Sequence, residues 1–143
     1  MRINDVLRSK GDQVVTVSPD ITVRELVTVL GENNIGAVVV ATDPTHLQGI
    51  VSERDIVRGL AEGADVLEQS VESIMTTDVH SCDPHDTVDS LMHLMTEQRV
   101  RHVPVVVEGK LAGIISIGDV VKSRIGELEF ERDQLTSYVS HAQ

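Results

Sequence analysis

Leu47-Gln48-Gly49-Ile50-Val51-Ser52-Glu53-Arg54-Asp55 returns later in the chain as Leu111-Ala112-Gly113-Ile114-Ile115-Ser116-Ile117-Gly118-Asp119, at an offset of 64 residues. Each stretch reads as a strand that ends in Gly-x-x-Ser-x-x-Asp and passes into a helix. Upstream, Pro19-Asp20-Ile21-Thr22-Val23 recurs as Pro84-His85-Asp86-Thr87-Val88 at an offset of 65. The lost residue falls in the turn, Asp43-Pro44-Thr45-His46 against Glu108-Gly109-Lys110, where a change of length disturbs neither strand. The chain is therefore one structural unit used twice, and that repeat organises every other reading.

Within each unit the apolar spacing defines the elements. Val23, Leu26, Val27 and Leu30 follow the i, i+3, i+4, i+7 pattern of an amphipathic helix, and Val88, Leu91, Met92 and Met95 repeat it. Thr22 and Glu25 stand at capping-box spacing, which encodes the helix start locally. The β-branched runs 14–17, 38–40 and 103–107 read as strands of a sheet buried on one or both faces. Each unit reads strand, helix, strand, turn, strand, helix. The expectation is an α/β fold of two pseudo-symmetric βαββα repeats in one globule. Gly59 and Gly63 mark a helix end, after which Val71-Glu72-Ser73-Ile74-Met75-Thr76 leads into the second repeat as Asn4-Asp5-Val6-Leu7 leads into the first.

The 143 residues suffice to bury a core without metals or disulfides. With 41% apolar but only 1% aromatic residues, that core is aliphatic. A net charge of −11 opposes sequence-independent binding to nucleic acid, which needs a clustered excess of Lys and Arg. An anionic small ligand needs only a few local cations. The single cysteine, Cys82, excludes an intrachain disulfide and fits a reducing compartment. No run of 18 apolar residues and no N-terminal apolar h-region occur, so a cytoplasmic protein that does not enter the membrane is expected.

The repeated turn has two readings. As a nucleoside site, glycine permits close backbone approach, the hydroxyl donates or accepts, and the carboxylate takes two ribose hydroxyls. Helix-start donors, helped by Arg54 in one repeat and Lys122 beyond the other, then receive phosphate. As plain structure, Ser52 and Ser116 cap helices while Asp55 and Asp119 complement the helix dipole. Duplication inside a matching repeat favours the first.

With both Gly-x-x-Ser-x-x-Asp turns and Val100-Arg101-His102-Val103-Pro104-Val105, residues 2–124 resemble a pair of CBS motifs forming a Bateman module. The resemblance implies CBS motif 1 over 2–62, a connector and lead-in helix of the second repeat over 63–78, CBS motif 2 over 79–124 and a C-terminal amphipathic helix over 125–143. It implies two clefts near the pseudo-dyad that take an adenosine-containing small molecule: AMP, ADP, ATP or NAD(H). One cleft would combine Ser52, Arg54 and Asp55 with His80, Arg101 and His102. The other would combine Ser116 and Asp119 with Val15, Gly36 and Ala37, with Arg101 contributing to both. Because Gly36 and Ala37 match Arg101 and His102, the second cleft is poorer in cations. The resemblance also implies a flat homodimer and a regulatory role, with ligand state passed to an effector on another chain.

Competing chemistry is weak. The six histidines show no His-Glu-x-x-His or paired Cys/His spacing, so no metal site is expected. Cys82, in a strand without a basic neighbour, reads as a buried small residue rather than a nucleophile. There is no Walker loop, no Gly-x-Gly-x-x-Gly and no triad, so an enzyme, including a nucleotide-processing one, is not expected. A ligand-independent structural or dimerisation module is the alternative. It draws on Val121, Ile125, Leu128, Leu135 and Val139, an a/d-like stripe interrupted by Arg132, which either covers its own domain or meets another subunit.

Overall fold

The computed structural model describes residues 1–11 and 13–141. In chain order it contains α1 (Ile3–Lys10), β1 (Thr16–Val17), α2 (Val23–Asn33), β2 (Ala37–Ala41), β3 (Leu47–Ser52), α3 (Glu53–Glu62), α4 (Val88–Gln98), β4 (His102–Val107), β5 (Lys110–Ser116) and α5 (Ile117–His141). Two 3-10 turns, Ala64–Glu68 and Val71–Ser73, lie between α3 and α4. The sequence places a lead-in helix there, yet only single turns form, with Ser70 between them bridged to Thr22 and Thr76 after them bridged to Ile50.

The first sheet runs β1-β2-β3, with β1 parallel and β3 antiparallel to β2. β2 is buried along its whole length, which explains its unbroken Ala-Val-Val-Val-Ala run. In the second sheet β4 pairs with β5, and the strand expected around Cys82 is reduced to one parallel bridge to Val105. The strand expected over 14–17 is likewise confined to Thr16–Val17. The repeat survives in small irregularities. Register shifts fall at Val40/Ala41 and Val105/Val106, and the residues closing α2 and α4, Asn34 and Arg99, have φ of 52° and 55°.

Thr22 and Thr87 cap α2 and α4 by accepting from the N–H groups of Glu25 and Ser90, each at 3.1 Å. Only half of the expected capping box forms at Thr22. The Glu25 carboxylate takes the Thr22 hydroxyl at 3.3 Å rather than a backbone N–H.

The two cores exchange segments. Ile3, Val6 and Leu7 of α1 lie in the core of the second repeat, with Leu91, Met95, Val103 and Ile115. Val66 and Val71, from the connector, lie in the core of the first, with Leu26, Val38 and Val51. The sequence assigns α1 to the first repeat; packing assigns it to the second. Backbone bonds enforce the exchange: Ile3 N–H donates to Asp86 O at 2.9 Å and Val88 N–H to Met1 O at 3.0 Å. On the other side Val23 N–H donates to Gln69 O at 2.9 Å and Val71 N–H to Ile21 O at 2.8 Å. Each fully buried Val, Ile or Leu contributes about 1.5–3 kcal/mol, so swapped segments of this size hold the halves together.

α5 continues without a break from the second Gly-x-x-Ser-x-x-Asp turn into the tail. Val120 is its one buried residue among those described, and the expected helix residues 142 and 143 lie outside the described residues.

Candidate functional site

Each repeated turn closes on itself. Ser52 N–H donates to Asp55 Oδ2 at 2.9 Å, while the Ser52 hydroxyl donates to the same oxygen at 3.1 Å and accepts from Asp55 N–H at 3.4 Å. Ser116 and Asp119 repeat the two bonds from backbone N–H groups, Ser116 N–H to Asp119 Oδ2 at 2.8 Å and Asp119 N–H to the Ser116 hydroxyl at 3.1 Å. Each helix start is also tied to the strand entry of its own repeat, Glu53 N–H to Gly36 O at 2.9 Å and Ile117 N–H to Arg101 O at 2.8 Å. The capping reading therefore holds for all four residues. It uses Oδ2 only, and among the described residues Oδ1 of Asp55 has no hydrogen-bond partner.

The glycines of the motif act differently from the nucleoside reading. A Cβ on Gly49 would lie 2.6 Å from the Thr76 carbonyl oxygen, and one on Gly113 would lie 2.6 Å from Leu7 Cδ2. Both glycines make room for the exchanged segments.

At the seam between the repeats lies a cleft of about 590 Å³. It gathers Ser52, Arg54, Asp55, His80, Arg101 and His102, the whole first set expected from the sequence, together with Gly36 and Ala37 from the second. It adds Arg58, Arg99, Asp78 and Glu53. Arg58 was legible in principle, being four residues beyond Arg54 on one helix face. Arg99 is held in the left-handed region at the end of α4, a costly conformation for a residue with a Cβ, and this turn starts the run Val100-Arg101-His102 along the cleft wall. Asp78 had no local signal.

Four arginines thus face three carboxylates in a chain that carries only 12 Lys and Arg in all. Among the described residues none of these four guanidinium groups is within 4.0 Å of a carboxylate. His102 is half-buried. Desolvation lowers its pKa from the usual value, and the charges of Lys10 and Arg101 lower it further against the opposing pull of Asp119 and Glu53. A Cβ on Gly36 would lie 3.2 Å from Glu53 Oε1 and 3.9 Å from His102 Cε1, so the missing side chain there leaves the His102 side of the cleft open.

The remaining expected residues are not brought into this cleft. Val15 packs against the first core, and Lys122 is exposed one turn into α5. Asp119 meets a cation from a place the sequence did not suggest. Lys10, at the end of α1, donates to Asp119 Oδ2 at 2.5 Å and to Ile114 O at 2.7 Å. In the first repeat the carbonyl matching Ile114 is that of Ile50, which accepts from Thr76 N–H at 2.9 Å. The lysine ammonium stands in for a backbone donor. Burial raises the pKa of Asp119, but the hydrogen bonds from Lys10 and Ser116 outweigh it and leave it below the usual value.

The CBS domain model matches the chain twice, over residues 3–62 and 71–126. The chain belongs to the CBS domain family. A mitochondrial CBS domain-containing protein of Arabidopsis thaliana, CBSX3, is 34% identical over 146 residues, spanning 96% of this chain and 71% of that one. The CBS-domain containing protein ATU1752 from Agrobacterium tumefaciens superposes with a TM-score of 0.84 at 49% identity, covering 87% of this chain and 99% of that one. The CBS domain pair of protein MJ0100, solved in complex with 5′-methylthioadenosine and S-adenosyl-L-methionine, shares the fold with a TM-score of 0.79 at 24% identity. That match covers 89% of this chain and 98% of that one.

As a CBS pair, the chain has the two-repeat α/β architecture read from its sequence. No described helix is long and apolar enough to cross a membrane. Cys82 is buried, with its thiol pushed up to about 12 by desolvation and by the nearby Asp86 and Asp83 carboxylates.

Proposed function

We propose that this CBS pair is a regulatory module that binds an adenine nucleotide in the cleft between its repeats. The observation that carries the reading is the cleft itself, where an acidic ribose anchor, Asp55, stands beside four arginines contributed by both repeats, none of them in an ion pair among the described residues. Asp55 Oδ1 is the oxygen left to accept ribose hydroxyls. Arg54, Arg58, Arg99 and Arg101 suit a chain of phosphates, to which guanidinium binds with charge-assisted, often bidentate bonds.

The adenosyl ligands of the MJ0100 pair support the ligand class. The four arginines favour ADP or ATP over a sulfonium ligand, whose positive charge they would repel. NAD(H), with its pyrophosphate, stays within the class.

The regulatory reading follows from where the ligand would sit. A nucleotide held by Asp55 on one repeat and Arg99 and Arg101 on the other is sensitive to their separation. Differential affinity for two arrangements of the repeats is what transmits its presence to an effector on another chain. The reading includes pairing with a second copy of the chain and a protein that works in the cytoplasm.

Calorimetric titration with AMP, ADP, ATP, NAD(H) and S-adenosyl-L-methionine tests it. The expected result is saturable binding with ATP or ADP tightest and the nucleotide recovered intact. No binding by any member overturns it, and turnover of the nucleotide makes the protein an enzyme instead. The ligand-independent dimerisation reading is favoured by the bare apolar stripe of α5, and a dimer that binds no member of the panel would select it.

A further inference from the structure

We infer that α5 pairs with α5 of a second copy of this chain as a parallel two-stranded coiled coil, separate from the nucleotide cleft. Ser123 and Glu127 still meet Met1, but beyond Glu127 no hydrogen bond or ion pair joins the helix to the rest of its own module among the described residues. Val121, Ile125 and Leu128 are each 50% exposed, Leu135 is 65% and Val139 is 57%. These residues fall at d, a, d, d and a of a heptad in which Arg132 occupies the intervening a position. The seam runs from 121 to 139, about 28 Å of helix. Its period of 3.5 is that of a helix wound around a partner, not of one laid on its own domain.

Charge selects the occupant and its direction. Arg124 stands at g and Glu129 at the next e, the two positions that meet across a parallel pair, so two opposite-charge contacts flank the seam. Arg132 at a would lie beside the partner's Glu131 at g, which compensates the one polar layer. The antiparallel arrangement that matches Ile125 with Leu135 and Val121 with Val139 sets Glu131 against Glu131 and Glu129 against Glu129. Like charges reject it. A seam this short is marginal for free peptides, but tethering to a folded module that itself pairs raises the local concentration of the two helices. Phe130 lies at f, outside the seam.

Full-length protein with Leu135→Cys tests this under mild oxidation. In a parallel pair position 135 faces itself, so a disulfide-linked dimer forms at least tenfold faster than with Ser137→Cys, which places the thiol at f on the outer face. Cys82 does not compete, because it is buried and its thiol is held protonated. Glu129→Arg should slow the Leu135→Cys crosslink severalfold, and adding Arg124→Glu should restore it. All four positions are exposed or half-exposed on one helix, so the module stays folded, which circular dichroism checks. Equal rates for the two cysteine positions overturn the proposal. Crosslinking only between Ile125→Cys and Leu135→Cys chains overturns its direction. Neither outcome touches the nucleotide reading, which rests on calorimetry of the cleft.

Discussion

Lys10 Nζ lies 2.5 Å from Asp119 Oδ2, joining the end of α1 to the aspartate of the second Gly-x-x-Ser-x-x-Asp turn. Both side chains are largely shielded from solvent, so the contact is worth more than a surface ion pair, about 1–3 kcal/mol with its bond to Ile114 O. Asp119 is depressed below its ordinary pKa. Its contribution to stability is therefore present above the unfolded value and lost as pH falls through the folded one. Lys10→Met leaves burial less opposed and raises that pKa. Thermal melts should show the variant less stable at pH 7, with the gap to wild type closing as pH falls toward 3. A gap independent of pH would mean that the lysine acts only through packing.

The cleft arginines separate phosphate from nucleoside recognition. Arg101→Ala removes a guanidinium that makes no ion pair among the described residues, so folding stability should hold while ATP affinity falls about 10- to 100-fold, the worth of a charge-assisted bond. Adenosine binding should change little. Equal losses for adenosine and ATP would place Arg101 away from the phosphates.

Asp55→Asn tests the ribose anchor, with the helix cap as the competing account. Asparagine keeps a side-chain acceptor, so the cap should lose about 1 kcal/mol or less. Nucleotide affinity should fall at least tenfold. A melt that drops sharply without any loss of binding would leave Asp55 a cap and nothing more.

Much of this was written locally. The duplicated Gly-x-x-Ser-x-x-Asp turn gave both helix starts, and Arg101-His102 matched to Gly36-Ala37 gave the unequal pseudo-dyad. What could not be read locally depends on how the halves sit together. Nothing around Ile3 or Leu7 tells that α1 joins the core of the other repeat. Lys10 reaches Asp119 only because of that exchange. The same holds for Asp78, which enters the cleft because Thr76 is bonded to Ile50. Gly49 and Gly113 were legible as sites of close approach, but the approaching group is the protein's own chain.

His102 provides a pH signature. Burial, then Lys10, lower its pKa, so the neutral ring is favoured at pH 7 and its contribution to stability is present above about 6.5 and lost as pH falls through the folded value. Nucleotide phosphate placed beside the ring would favour the protonated form, so binding should take up protons. The heat of ATP binding at pH 7 should then vary with the ionisation enthalpy of the buffer, and His102→Gln should remove most of that variation. A variation unchanged in the variant would mean that His102 does not take up the proton.

Gly49→Ala and Gly113→Ala add the same methyl at the same 2.6 Å clearance, yet their costs should differ. At Gly49 the obstacle is the Thr76 carbonyl, fixed by reciprocal bonds of 3.0 and 2.9 Å between Ile50 and Thr76, so the backbone itself must move. At Gly113 the obstacle is the end of the Leu7 side chain, which can rotate away. Overpacking against a fixed neighbour costs about 2–3 kcal/mol and against a movable one about 1 kcal/mol or less. Thr76, Asp78, Val79 and His80 line the cleft, so Gly49→Ala should weaken nucleotide binding as well as stability. Gly113→Ala should leave binding near wild type. Melts and titrations of the two variants, measured side by side, decide whether the exchanged segment carries strain from one repeat into the site of the other. Equal binding losses would place the coupling elsewhere.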